Sequence, residues 1–160
     1  MRDEYPMPTT VRPARSDDRA EILALVPRLR AFGAPPLRPP EDLDRAEAAA
    51  LSRALDGVPD TAVLFVAESD ARVAGVAYVQ TATDYFTHER HAHLDILIVA
   101  EDAEGRGVGR ALLNAVDDWT RSRGYRFVTL NVFPDNTRAR GVYERAGYGI
   151  DTLKYVKELK

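Results

Sequence analysis

The sequence predicts an α/β fold, with antiparallel strands first and a parallel strand-helix-strand unit later. Three observations carry that expectation. Two β-rich runs, 62–67 and 73–79, flank Ser69-Asp70-Ala71-Arg72 at the spacing of an antiparallel hairpin. Val108, Ala111, Leu112, Ala115, Val116 and Trp119 recur at i, i+3, i+4, i+7, i+8 and i+11, the apolar stripe of a helix. That helix lies between strands at 91–99 and 127–132, and the crossover rules make such a unit parallel.

Each element has a local reason. Residues 9–14 form a short extended run, and Ser16-Asp17-Asp18 supply N-cap chemistry for a helix over 20–26. The stretch 32–40 holds Pro35, Pro36, Pro39 and Pro40; each removes a donor and pushes its predecessor out of the α region, so this is a loop. Helix formers return over 41–55, with Leu43, Ala46, Ala50, Leu51 and Leu55 near helical spacing, until Gly57-Val58-Pro59-Asp60 stops them. After the hairpin a polar loop, 83–90, leads into the strand 91–99, and Gly124 ends the helix that follows. Asn136 caps a short helix running through Ala146, Gly147 ends it, and 150–156 reads as a final strand. The expected order is β, α, α, β, β, β, α, β, α, β.

A chain of 160 residues suits one domain over 1–160, with residues 1–8 as a flexible tail. Its 45% apolar and 29% charged composition is that of an ordinary globular fold. No apolar run approaches the ~20 residues of a membrane span, and the first residues hold no apolar signal segment. With no cysteine, a disulfide scaffold, a thiol nucleophile and a Cys-ligated zinc are all excluded, and a reducing cytoplasm is the expected compartment. The formal charge of −3 and the lack of any Lys/Arg block argue against a nucleic-acid partner. Charge is nevertheless uneven: residues 101–160 carry 11 basic and 9 acidic side chains against 11 and 16 in residues 1–100, so an anion fits better in the later part.

Gly105, Gly107 and Gly109 stand between a strand and a helix, where bare backbone amides meet the positive end of the helix dipole. Phosphate oxygens suit that place; a turn needing glycine only for its geometry is the alternative. A dinucleotide fingerprint would need glycine at 110, where Arg110 stands, and a P-loop would need a lysine the loop lacks.

On the strand 91–99, simple alternation puts His91, His93, Asp95, Leu97 and Val99 on one face and Ala92, Leu94, Ile96 and Ile98 on the other. Three titratable groups in a row need partners or water, and a cleft on that face explains them. His-x-His-x-Asp also begins a metallo-hydrolase motif, but Ile96 follows where a histidine is needed, so no metal is expected. A structural role, with Asp95 in a salt bridge, remains open beside acid-base chemistry.

Leu94-Asp95-Ile96-Leu97-Ile98-Val99, followed by Glu104-Gly105-Arg106-Gly107-Val108-Gly109-Arg110-Ala111-Leu112-Leu113, resembles the core acyl-CoA motif of the GNAT N-acetyltransferases. Leu130-Asn131-Val132, Asn136, Ala139, Tyr143 and Glu144-Arg145-Ala146-Gly147-Tyr148 resemble the family's next strand and helix. The resemblance implies a GNAT (acyl-CoA N-acyltransferase) fold: a mixed, mostly antiparallel sheet with splayed central strands, flanked by helices. It implies acetyl-CoA as cofactor, with coenzyme A as product, lying between strands 93–99 and 127–132. Its contacts would be Leu97, Ile98 and Val99, the loop residues Glu104, Gly105, Arg106, Gly107, Val108, Gly109 and Arg110, and Asn131, Asn136, Ala139 and Tyr143. The family has Gln or Arg at the position of Glu104; a carboxylate there opposes a pyrophosphate unless it turns away or pairs with Arg106 or Arg110.

The resemblance further implies direct attack of a primary amine, of a small molecule or peptide, on the thioester, with no covalent enzyme intermediate. A neutral His93, aided by Asp95, has the reference pKa of a base that takes the amine proton, and Tyr143 matches the tyrosine placed near the CoA sulfur. Tyr143 also belongs to an apolar stripe with Ala139, Val142 and Ala146, so core packing is its other reading, and Phe133 and Tyr148 are expected in the core. The acceptor pocket is expected between 32–40 and 83–90, with Tyr85, Phe86, His88 and Glu89 in its wall and Asp84, Glu89 and Asp95 favouring a cationic amine. The expected partners are an acyl-CoA and a small amine, with no nucleic acid and no membrane; a homodimer is compatible with the chain. A non-catalytic acyl-CoA sensor and a protein N-terminal acetyltransferase are the competing functions, the sensor being marked by dispensable His93, Asp95 and Tyr143.

Overall fold

A computed structural model describes residues 8–33 and 35–160; the expected tail over 1–8 lies, but for its last residue, outside them, as does Ala34 of the proline loop. The elements follow the expected order as far as the fourth helix. They are β1 (Thr10–Pro13), α1 (Arg19–Ala24), α2 (Pro40–Asp56), β2 (Ala62–Ser69), β3 (Arg72–Thr83), β4 (Arg90–Val99), α3 (Val108–Ser122), β5 (Val128–Leu130) and α4 (Thr137–Arg145). The sheet runs β1-β2-β3-β4-β5, antiparallel throughout except for the parallel β4–β5 pair.

Local chemistry fixes the boundaries. The Asp18 carboxylate accepts from the Arg15 amide at 2.7 Å and from the Arg12 guanidinium, which also reaches Glu68 and so ties the start of α1 to β1 and β2. Pro40 opens α2 at a position where its missing N–H costs nothing. Asp70 and Ala71 both take positive φ, the backbone of a tight hairpin turn between β2 and β3. At Gly75 a Cβ would stand 2.7 Å from the Ile98 carbonyl oxygen, so β3 approaches β4 there only because the side chain is absent.

Two apolar cores cover the two faces of the sheet. Ile22 of α1 and Leu51 of α2 pack with Leu64, Val66, Val76, Tyr78, Ile96 and Ile98. Val108, Leu112 and Val116 of α3 pack with Ala77, Val79, Ala92 and Leu94. The simple alternation expected for the strand 91–99 is therefore corrected. Tyr78 pairs with Ile96 and its neighbour Val79 pairs with Leu94, leaving Asp95 unmatched. This β-bulge adds one residue to β4, so side chains before and after Asp95 exchange faces: Ala92 and Leu94 meet α3, whereas Ile96 and Ile98 meet α1 and α2.

The final strand expected at 150–156 does not form. None of the described hydrogen bonds or ion pairs involves residues 150–160, and Ile150, Leu153, Tyr155 and Val156 are exposed. Their β-forming composition is real, but a strand needs a ladder partner, and among the described residues none lies beside them.

Candidate active site

The site opens where sheet pairing stops. β4 and β5 share only three registered pairs, Ala92–Val128, His93–Thr129 and Leu94–Leu130. From Asp95 onward β4 stays with β3 while Asn131, Val132 and Phe133 diverge, and a cleft of about 1140 Å³ fills the wedge between them. Its walls come from β4, the start of α3, the segment after β5, α4 and, across the opening, Leu29, Phe32, Leu43 and Glu47.

At one end α3 presents its first turn. Gly107 holds φ +82°, a left-handed conformation that suits glycine and lets the loop reverse into the helix. The first-turn amides of Val108, Gly109 and Arg110 lack intrahelical acceptors, and no acidic side chain occupies that turn. This cradle fits a phosphate group. The expected contact residues Leu97, Ile98, Val99, Glu104, Gly105, Gly107, Val108, Gly109, Arg110, Asn131, Asn136, Ala139 and Tyr143 all line the cleft; the exposed Arg106 does not.

Glu104 is neither turned away nor paired with Arg106 or Arg110. Its carboxylate binds the guanidinium groups of Arg28, 76 residues earlier, and Arg138, on the first turn of α4. Two cations flank this one anion, and the exposed Glu101 stands 4.0 Å from Arg28 at the rim, so the Glu104 charge is offset locally. The triad also links the segment after α1 to α4 across the cleft.

At the strand end, the Thr129 hydroxyl stands between two imidazoles, 3.1 Å from His91 Nε2 and 2.7 Å from His93 Nδ1. His91 is buried and stacks on Phe127, with ring centroids 4.6 Å apart. His93 faces the cleft, and its Nε2 lies 3.8 Å from Asp95 Oδ1; Gln80 Nε2 donates to Asp95 Oδ2 at 2.6 Å. The bulge aims the Asp95 carboxylate into the cleft instead of into either core. Glu47 of α2 looks across at it, and burial together with the Asp95 charge pushes the Glu47 carboxyl above its ordinary range.

No residue of α4 is fully buried; Ala139, Val142 and the partly buried Tyr143 line the cleft. Tyr143 packs edge-on against Tyr148 at 5.7 Å, and burial pushes its phenol up to about 12. Asn136 caps α4, its Oδ1 accepting from the Ala139 amide at 3.0 Å, while also facing the cleft. Among the described residues no group of three His, Asp or Glu side chains converges as metal ligands.

The model of the acetyltransferase (GNAT) family matches residues 28–148, from the first arginine of the triad to the tyrosine that packs on Tyr143. The chain belongs to that family. YhfO, an uncharacterized N-acetyltransferase of Bacillus subtilis (strain 168), is 30% identical over 142 residues, covering 89% of this chain and 91% of its own. Two solved structures share the fold. The aminoglycoside N-acetyltransferase AAC(6')-Iy, solved in complex with CoA, superposes with a TM-score of 0.73 at 21% identity, covering 100% of this chain and 99% of its own. Glucosamine-6-phosphate N-acetyltransferase from Arabidopsis thaliana gives 0.66 at 18% identity, covering 96% and 99%.

In this acetyltransferase the loop 83–90 is not a wall of the cleft, contrary to expectation. Asp84 Oδ1 accepts from the Phe86 and Thr87 amides and the Thr87 hydroxyl, folding the loop on itself. Glu89 pairs with Arg126, and Tyr85 and Phe86 are exposed. Phe133, expected in the core, is half-exposed and lines the cleft; Tyr148 packs against the α3 core as expected. Sequence reasoning missed Arg28, Glu47, Thr129 and Arg138. For Thr129 a signal existed, since a hydroxyl in a parallel strand beside a histidine strand is a natural cross-strand partner.

Proposed function

We propose that this acetyltransferase moves the acetyl group of acetyl-CoA to a primary amine by direct attack on the thioester. The observation that supports it most is the meeting, at the parting of β4 and β5, of a phosphate cradle with His93, Asp95 and Tyr143. Bound acetyl-CoA supplies the thioester carbonyl and a thiol leaving group. The first-turn amides of α3 hold its phosphates, and the unpaired edges of β4 and β5 offer backbone partners to its amide-bearing arm.

His93 takes the amine proton. In the tautomer whose Nδ1–H is donated to Thr129, Nε2 keeps a lone pair for the cleft, and Asp95 beside it stabilises the imidazolium that forms. Tyr143 donates a hydrogen bond at the sulfur. Full proton transfer from a phenol near 12 to a thiolate of ordinary pKa is uphill by roughly three to four pK units, so hydrogen bonding is its role. Glu47 and Asp95 across the acceptor end favour an amine that carries a second cationic group.

Two measurements test this reading. Acetyl-CoA should raise the melting temperature, since a ligand of the folded state stabilises it by mass action; no shift and no calorimetric heat at millimolar CoA overturns the cofactor assignment. In a CoA-release screen, diamines and aminoglycosides should outpace monoamines and amino acids; an equal or reversed ranking overturns the acceptor class.

A further inference from the structure

Glu104 belongs to the loop before α3, yet both its partners lie in distant parts of the chain. Oε1 takes the Arg28 guanidinium and Oε2 takes that of Arg138 at 2.5 Å, so each oxygen of one carboxylate serves a different wall of the cleft. A neutral amide at 104 could not do this, since it has a single acceptor oxygen and would turn its NH₂ toward a guanidinium. The Arg28 and Glu104 side chains are only 24% and 22% exposed, so water screens this pair far less than a surface pair such as Arg121–Asp118. Arg28 Nε is buried and finds no hydrogen-bond partner among the described residues, which leaves the terminal nitrogens to anchor the guanidinium.

The segment that carries Arg28 is weakly fixed by its own backbone. Val26–Arg30 is one 3₁₀ turn, a short helix of poor hydrogen-bond geometry, and beyond it the chain reaches Gly33 at φ +96°. Leu29 and the part-exposed Phe32 of this segment line the cleft opposite β4. Two arginines flank Leu29. Arg30 pairs with Asp44 at 2.8 Å and so joins the segment to α2, which adds Leu43 and Glu47 to the same wall. Arg28 points the other way, to the loop that leads into the phosphate cradle.

We infer that Glu104 and Arg28 are positioning residues for the acceptor amine. Their ion pair holds Leu29 and Phe32 at a fixed distance from His93, and Arg138 braces the carboxylate from α4. The inference rests on the proposed acetyl transfer, whose acceptor meets that wall. A residue of the cofactor loop thereby sets how the acceptor binds, while the phosphates are left to the α3 amides. The effect on catalysis is direct, because a misplacement of ~1 Å between reacting groups can cost ~10²-fold.

Hydrogen exchange read by mass spectrometry tests the tether without any acceptor. Exchange over 26–33 should quicken about 10-fold in Glu104→Gln and in Arg28→Gln, and keep the parent rate in Arg106→Gln, which removes a charge from the same loop outside the cleft. With putrescine as the probe amine, the first two variants should each raise the acceptor KM about 10-fold and leave the CoA dissociation constant within about threefold. The double variant Arg28→Gln/Glu104→Gln should be no worse than either single one, since the two residues act through one contact. Arg28→Glu/Glu104→Arg rebuilds the pair in reverse and should return both exchange and KM toward the parent. Parent exchange over 26–33 in both single variants overturns the inference, as does a weaker grip on CoA with the acceptor KM unchanged, or losses that add in the double variant. A parent enzyme that binds CoA but acetylates no amine fails the proposed reaction instead, and the exchange rates still decide whether this pair holds the wall.

Discussion

The β2-β3-β4 region and the β5-α4 region are built on opposite terms. The first is laddered along its length, from Ala62 paired with Gln80 to Gly75 paired with Val99, and is packed on both faces. The second has a three-residue strand, a helix with no fully buried residue and a following segment in solvent. The proposed site lies on the border, because a cleft needs backbone groups and side chains that the fold has not already used. The dense half supplies position, holding His93, Asp95 and the α3 amides; the sparse half supplies Thr129, Arg138 and Tyr143 with little packing of its own.

That contrast is broken most severely in the dense half. Leu112→Ala, at a fully buried site, should cost about 2–5 kcal/mol in urea unfolding, whereas Val142→Ala on α4 should cost under about 1 kcal/mol. Equal losses would show that α4 is as deeply integrated as α3.

Tyr143→Phe removes one hydroxyl from the sparse half. Turnover should fall about 10²-fold or more with CoA affinity unchanged, read by kcat beside calorimetry. The same phenol carries a pH signature. Its folded pKa is raised, so its share of stability is present below the ordinary value near ~10 and is lost as the pH rises through about 12. Unfolding between those values should be blunted in Tyr143→Phe; an unchanged alkaline limb would mean that the hydroxyl is not buried.

Much of this was legible in the sequence because it depends on local chemistry. The hairpin, the α3 stripe, the Asn136 cap and the glycine turn are written in contiguous residues. The bulge at Asp95 was not, since alternation in one strand does not reveal where its neighbour skips a residue. The partners of Glu104 were not legible either: Arg28 and Arg138 lie 76 and 34 residues away, and the nearer Arg106 and Arg110 offered the simpler match. The segment 150–156 reads as a strand and stands alone, because its ladder partner is not set by its own sequence.

Smaller effects sharpen the border itself. Thr129→Val keeps the shape of the strand but removes the hydroxyl that hydrogen-bonds His93 Nδ1. It should lower kcat about 10-fold and displace the pH-rate profile, with Thr129→Ser restoring both; loss of KM alone would assign Thr129 to binding. Glu104→Gln should leave the CoA dissociation constant within about threefold, since the carboxylate charge is already offset by the two arginines that it holds in place. A tenfold tightening by calorimetry would show that the carboxylate opposes the phosphates despite its partners.

The central claim is that backbone amides bind the cofactor while His93 serves the chemistry, and single-turnover acetylation by His93→Ala across pH tests it most directly. The rate should fall about 10²- to 10⁴-fold near neutrality and recover in part at high pH, as the acceptor amine deprotonates without help, while CoA affinity by calorimetry stays at the parent value. A variant that keeps the parent rate and pH profile, or that loses CoA binding along with its rate, would contradict that division of labour.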